Sequence, residues 1–134
     1  MNILLVNWQD VENPQAGGAE IHLFEIFGRL AARGHRVRLV CSGWRGCKAR
    51  TEIQGIEIER VGGRYGFALR ARGAVRRALR RERPDVVVED VSYGPIDVLF
   101  KLQAEPSGFR LGVFVSAVAR GRTEGTVERY IWRA

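Results

Sequence analysis

The first 42 residues, MNILLVNWQDVENPQAGGAEIHLFEIFGRLAARGHRVRLVCS (1–42), decide the fold. Residues 2–7 are a short, continuous apolar run, as expected for a strand buried on both faces. Residues 18–33 repeat apolar side chains at three- and four-residue spacing, which predicts an amphipathic helix that Gly34 ends. Residues 37–41 form a second apolar run. The stretch therefore predicts a strand–helix–strand unit of a parallel sheet.

The remainder of the chain continues this alternation. Residues 51–61 alternate apolar and polar side chains around Gly55, which indicates one strand or a strand pair near a sheet edge. An arginine-rich helix is predicted at 67–82 and a buried strand at 85–89. The order of elements predicts an α/β fold with a mainly parallel sheet. Weaker patterns follow: a short helix at 96–102, a strand at 109–118, a loop at 121–125 and the start of a helix at 126–132.

The periodicity also predicts which helix faces are buried. The second helix is expected to turn Leu69, Val75 and Leu79 toward the core. In the first helix the predicted apolar face contains Ile21, Leu23, Phe24, Phe27, Leu30 and Ala31. Its predicted polar side contains Glu20, Glu25, Arg29 and Arg33.

Composition excludes several classes of protein. A chain of 134 residues, 46% hydrophobic and 28% charged, is expected to form one globular domain with one core. No apolar run is long enough to cross a bilayer and no signal peptide precedes the first strand, so we expect a cytoplasmic location. Cys41 and Cys47 lack the spacing of a metal motif, and we expect reduced thiols and no metal.

The loop and glycine pair between the first strand and the first helix suggest a ligand site. In open parallel sheets ligands bind beyond the carboxyl ends of the strands, here after Asn7, Cys41, Val61 and Glu89. A helix N-terminus at residues 17–20 would offer unpaired N–H groups to an anion, and Gly17 and Gly18 would let it approach the backbone. The alternative is a turn that needs a positive φ angle. A nicotinamide dinucleotide site is not expected, because no third glycine follows and no acid ends the second strand.

Three segments together resemble the retaining glycosyltransferases of family 4, which have the GT-B architecture. They are the W-x-D loop with PQAGGAE at 14–20, the helix end RGH at 33–35, and RPDVVVED at 83–90. The resemblance covers roughly residues 1–92. It implies a Rossmann-like open sheet with helices on both faces, as half of a two-domain enzyme. Such enzymes transfer a sugar from a nucleotide-sugar to an acceptor in the cleft between the domains.

The resemblance also implies roles for individual residues. Gly17 and Gly18 would admit the diphosphate and sugar of the donor. Trp8, Asp10 and Glu20 would shape the cleft wall, although Trp8 also suits core packing and Glu20 suits the first turn of a helix. Two further candidates for substrate contact, with loop bracing as the alternative, are Glu89 and Asp90.

The chain departs from the family in its last third. Family members run to several hundred residues, with a C-terminal domain that supplies most donor contacts. A histidine usually follows the strand after the E-D segment, and no histidine follows His35 here. We therefore expect 1–134 to be a single, truncated N-terminal domain that is inactive alone, with 93–134 divergent, truncated or changed in reading frame. A nucleotide-sugar is the expected donor substrate and no cofactor is expected. The donor sugar, acceptor and oligomeric state stay open.

Most of the net charge of +7 lies on the second helix, where residues 70–83 hold seven arginines and one acid. This charge has three interpretations: a face exposed to solvent, a surface that binds anionic lipid at the inner membrane face, or a surface that binds nucleic acid. Nucleic acid is the least favoured, because no aromatic residues are interleaved with the arginines. The arginines proposed for such a surface are Arg70, Arg76, Arg77, Arg80 and Arg81. Two rival functions are therefore a non-catalytic nucleotide- or sugar-binding remnant and a basic nucleic-acid-binding α/β domain.

Overall fold

The computed structural model describes residues 1–90 and 111–115. The predicted helices at 96–102 and 126–132 and the loop at 121–125 lie outside these residues. The predicted strand at 109–118 is described only in part, and that part is a strand. The first six elements are β1 (Asn2–Val6), α1 (Gly18–Ala32), β2 (Arg36–Cys41), β3 (Arg50–Ile53), β4 (Ile56–Arg60) and α2 (Phe67–Glu82). Two further strands are β5 (Val86–Asp90) and β6 (Leu111–Val115).

The strands form one sheet in the order β3-β4-β2-β1-β5-β6. Every neighbouring pair is parallel except β3 and β4, which are antiparallel. Residues 51–61 are therefore the strand pair of the two alternatives, joined by a tight turn in which Gln54 and Gly55 have φ angles of 52° and 76°. Such a two-residue turn matches the twist of the flanking strands. The predicted mostly parallel α/β sheet is confirmed.

The two helices cover opposite faces of the sheet. Alternate residues of β1 show this: Ile3 and Leu5 pack in the core beneath α1, with Phe24, whereas Leu4 and Val6 pack beneath α2, with Phe67. Because both faces are covered, the central strands are apolar at nearly every position, as expected for parallel strands.

The predicted helix faces need two corrections. In α1, Ile21 is exposed whereas Glu20 is buried. In α2, Leu69 is 76% exposed, and the buried stripe consists of Phe67, Ala71, Ala74, Val75 and Ala78. The stripe is built mainly from alanines at three- and four-residue spacing. A prediction that uses the large Leu69 to locate the buried face therefore assigns the wrong side of the helix.

Candidate functional site

The order of the strands defines where a ligand would bind. From β1 the chain moves to β2 on one side and later returns to β5 on the other side. The carboxyl ends of β1 and β5 therefore flank the switch point of the sheet, where open α/β folds bind ligands. The backbone of Glu89 pairs with Val6 at this edge, and Asp90 ends β5. Both candidate acids thus belong to a strand that borders the crevice.

The N-terminus of α1 opens onto the same edge. Gly17 is the N-cap residue, with φ of −126°, and Gly18 begins the helix. Neither has a positive φ, so the alternative of a turn that needs glycine for this reason is wrong. Both residues are exposed. Apart from its chain neighbours and the backbone of its own helix, no described atom lies within 4 Å of the point where a Cβ on Gly18 would stand.

Glu20 braces this helix end from inside. Its side chain is buried, and its Oε2 accepts a hydrogen bond of 2.7 Å from the Gly17 N–H. Its Oε1 accepts a longer one, of 3.5 Å, from the Asn7 side-chain amide. An acid at the third helical position that bonds back to the N-cap N–H is one half of a capping box. The other half is missing because Gly17 has no side chain, so none of the N–H groups from Gly18 to Glu20 has a side-chain acceptor at the N-cap.

Trp8 lies in the loop between β1 and α1 and packs against the start of α2. Its ring meets the ring of Phe67 edge to face, with centroids 5.5 Å apart. Its carbonyl accepts a hydrogen bond of 2.9 Å from the Ser42 N–H, in the loop after β2. Trp8 is therefore half-buried and joins its own loop to the loop after β2 and to the start of α2.

Asp10 is buried in an ion pair that sequence reasoning missed. Its carboxylate oxygens accept hydrogen bonds from Arg60 at 2.7 and 3.0 Å, and the side chains are 0% and 2% exposed respectively. The Glu12 N–H donates to Oδ1 at 2.9 Å, and the Cys41 thiol donates to Oδ2 at 3.2 Å. Asp10 therefore anchors its loop, and its carboxylate faces the interior.

Burial and the neighbouring charged groups shift the pKa of two groups in this cluster. The pKa of Cys41 is raised well above its ordinary range, first by burial and then by the negative charge of Asp10. For Arg60, burial lowers the pKa, but hydrogen bonds to Asp10 and Glu12 raise it more strongly, so the net direction is upward. Cys41 thus remains a neutral donor and Arg60 a permanent cation.

The arginine helix presents a charged outer surface. Arg70, Arg76, Arg77, Arg80 and Arg81 are all exposed. Arg77 contacts Glu59 of β4 at 3.2 Å. Next to this surface, Tyr65 is 92% exposed in the loop before α2, and Leu69 follows four residues later.

Other kinds of site are absent from the described part of the chain. No group of three His, Cys, Asp or Glu side chains could hold a metal ion there. None of its helices has the length and apolarity needed to cross a bilayer. A shallow depression lined by residues including Gly28, Gln54 and Gly55 lies at the amino edge of the sheet, on the side opposite the glycine pair.

Comparison with known protein families identifies the family of this chain. The model of Glycosyltransferase Family 4 matches residues 16–115, from just before the glycine pair to the end of β6. The matched range continues beyond residue 92, where the resemblance carried by the motifs ends. No curated protein and no solved structure matches the chain. Because the match spans most of the chain and contains the open helix end, the protein belongs to glycosyltransferase family 4.

Proposed function

We propose that this chain is the acceptor-side domain of a retaining glycosyltransferase whose nucleotide-sugar donor lies with its diphosphate against the N-terminus of α1. The observation that carries the proposal is the exposed pair Gly17 and Gly18, for which neither backbone conformation nor packing in the described residues requires glycine. The pair stands at the switch point of a parallel sheet, and the chain belongs to a glycosyltransferase family.

The electrostatics of the helix end favour an anionic leaving group. The first N–H groups of a helix have no partner in the helix and carry a partial positive charge. Glu20 already occupies the Gly17 N–H, so the groups that would bind phosphate oxygens are the N–H groups of Gly18 and Ala19. Sugar transfer releases a nucleoside diphosphate, and preorganised N–H donors stabilise negative charge as it develops. No metal enters this proposal, because the partial positive charge of the helix end would act on the diphosphate instead.

The other candidate residues have supporting roles in this proposal. Trp8 and Asp10 shape the wall of the cleft indirectly, because their side chains hold the first loop against its neighbours. Glu89 and Asp90, at the carboxyl end of β5, are candidates for contact with the acceptor, with loop bracing as the alternative.

A second surface is needed for transfer. The open helix end lies on an exposed edge of the sheet, where Gly17, Gly18 and Ala19 are all accessible to water. A diphosphate bound only here would face water, where charge interactions are weak. We therefore propose that a donor-binding domain closes over this edge, and that residues 1–134 alone do not turn over nucleotide-sugars.

Calorimetric titration of the purified chain with uridine, guanosine and adenosine diphosphates tests the site. In the variant Gly18→Asp, the acid favours the helix N-terminus but repels an anion, so affinity should fall about tenfold or more without loss of stability. Gly73→Asp is the matched control, because it adds the same charge at an exposed position of α2. Equal affinity in the two variants, or no binding by the wild-type chain, would overturn the proposal.

A second proposal concerns the arginine surface of α2, defined above. We infer that it docks on an anionic membrane, because exposed Tyr65 and Leu69 adjoin several exposed arginines. Each basic residue near an anionic leaflet contributes on the order of 1 kcal/mol. Arg80→Glu/Arg81→Glu should abolish co-sedimentation with phosphatidylserine vesicles, whereas the control Arg29→Glu/Arg33→Glu, in the last turn and at the C-cap of α1, should not. Equal recovery on neutral vesicles would refute membrane docking, and salt-dependent retention on DNA or RNA would favour the nucleic-acid alternative.

A further inference from the structure

The loop between β1 and α1, residues 7–17, is held to the sheet by a side chain that is distant in sequence. Arg60, the last residue of β4, donates to both carboxylate oxygens of Asp10 at 2.7 and 3.0 Å. It also donates to Oε2 of Glu12 at 2.7 Å. Two acids of one loop therefore converge on a single guanidinium group.

The same guanidinium group contacts a second loop at the carboxyl edge. It donates to the carbonyl of Lys48 at 3.3 Å and lies over the ring of Trp44, 4.4 Å from the ring centroid. Both residues belong to the loop after β2. Arg60 thus joins the end of one strand to the loops that follow two others.

Burial makes this link hard to replace. Both Asp10 and Arg60 are almost inaccessible to water. Within residues 1–90 and 111–115, the other side-chain donor to Asp10 is the neutral thiol of Cys41. Without Arg60, Asp10 would remain as a buried charge with no cation, and removal of one partner of such a pair is strongly destabilising. Movement of the loop into water would relieve that penalty.

Two hydrogen bonds connect the loop 7–17 to the N-terminus of α1. Asn7 starts the loop and donates to Glu20, and Gly17 ends it and donates to the same carboxylate. A displaced loop would therefore disturb the first turn of α1, while Phe24 keeps the rest of the helix on the core.

We propose that Arg60 is a positioning residue: it holds the loop 7–17, and with it the open N-terminus of α1, in the arrangement that admits a ligand, without touching that ligand itself. The ligand in question rests on the proposed function, a nucleoside diphosphate at Gly18 and Ala19. Sequence analysis does not single out Arg60, and none of the three family segments contains it.

The test uses three variants of the purified chain. Arg60→Met leaves the Asp10 charge unpaired. Asp10→Asn/Arg60→Met removes both charges, so the buried-charge penalty disappears while the links to Glu12 and Lys48 stay broken. Arg36→Met is the control, because it removes an exposed arginine that pairs with Glu57 at 3.2 Å on the same sheet. Each variant is measured for its urea midpoint, amide hydrogen exchange across 8–17, and affinity for uridine diphosphate.

If Arg60 is a positioning residue, the stability of the protein and the order of the loop 7–17 should respond differently in the double variant. We expect the single variant to lose both, and the double variant to regain most of its urea midpoint while the loop still exchanges about tenfold faster and binds about tenfold more weakly. The control should match the wild type. A double variant with wild-type exchange in the loop overturns the inference.

The hydrogen-exchange result keeps this inference separable from the proposed function. If the wild-type chain binds no nucleoside diphosphate, the proposed function fails, yet the exchange of residues 8–17 still decides the role of Arg60. If the wild type binds and the double variant binds equally well, the positioning inference fails alone.

Discussion

Two loops at the same edge of the sheet lead into the two helices, and they end in opposite ways. The loop before α2 closes its helix: the N–H of Phe67, the first helical residue, donates to the Gly63 carbonyl at 2.9 Å, and Phe67 is fully buried. The loop before α1 leaves its helix open, because Gly18 is exposed and no described side chain packs on it. The N-terminus of α2 is closed by its own loop, whereas the described residues leave the N-terminus of α1 uncovered.

The glycines in the two loops make the same contrast. Gly62 has φ of +68°, and a Cβ there would stand 2.9 Å from the carbonyl carbon of Gly66. It is required both by backbone conformation and by packing. Gly18 is required by neither in the described residues. Glycine thus has a structural reason before α2, whereas before α1 the described residues supply none.

The loops also differ in what holds them. Gly62 accepts a backbone hydrogen bond of 3.0 Å from Gly43, so the loop before α2 packs through its main chain. The loop before α1 also has a backbone hydrogen bond, from the Ser42 N–H to the Trp8 carbonyl, but its acids depend on side chains, chiefly the buried pair of Asp10 and Arg60. The first of these arrangements is sensitive to added volume, and the second is sensitive to charge.

The largest expected effect comes from Gly62→Ala, which forces a side chain into the closed loop. A positive φ is unfavourable for alanine, and the new methyl group must displace the backbone of Gly66, so we expect a loss of about 3 kcal/mol in the free energy of unfolding. Urea denaturation measures it. Gly63→Ala is the matched control, because the nearest atom to its Cβ would be 3.9 Å away. Equal losses in the two variants would remove the steric explanation.

A smaller loss of stability is expected when the pH is raised, because of the Cys41 thiol that donates to Asp10. Because the pKa of Cys41 is raised in the folded protein, the unfolded chain releases this proton first as pH rises. Stability is therefore retained below about pH 8.5 and falls above it by about 1.4 kcal/mol per pH unit, or about 2 kcal/mol by pH 10. Thermal unfolding from pH 7.5 to 10 should show a shallower decline for Cys41→Ala than for Cys47→Ala. Parallel curves would contradict this account.

The parts of the molecule that were predictable from sequence depend on neighbouring residues. The apolar runs of β1, β2 and β5 and the periodicity of α1 are local patterns, and the alternation of strands with helices leads directly to a parallel sheet. The glycine pair could be placed at the carboxyl edge for the same reason, because it immediately precedes a helix that follows the first strand.

The parts that were missed depend on distant residues or on small ones. Arg60 and Asp10 are 50 residues apart, and no local pattern pairs a charged strand residue with one loop acid rather than another. Leu69 misled because the true buried stripe is mostly alanine. Glu20 was placed on the polar side of α1 because its capping partner is the backbone of a glycine, which carries no Ser or Thr signature.

The smallest expected effect is the most informative about the open helix end. Gly18→Ala adds a methyl group where no described side chain stands, at a position with helical backbone, so the free energy of unfolding should change by less than about 0.5 kcal/mol. Gly73→Ala, at an exposed position of α2, is the control for the helix propensity of alanine. Urea denaturation of both variants makes the comparison. A loss above about 1.5 kcal/mol for Gly18→Ala alone would show that this helix end is packed like the one before α2, because a cost of that size requires steric conflict. If stability is unchanged and a nucleoside diphosphate binds more weakly, glycine is needed at this position for ligand binding rather than for folding.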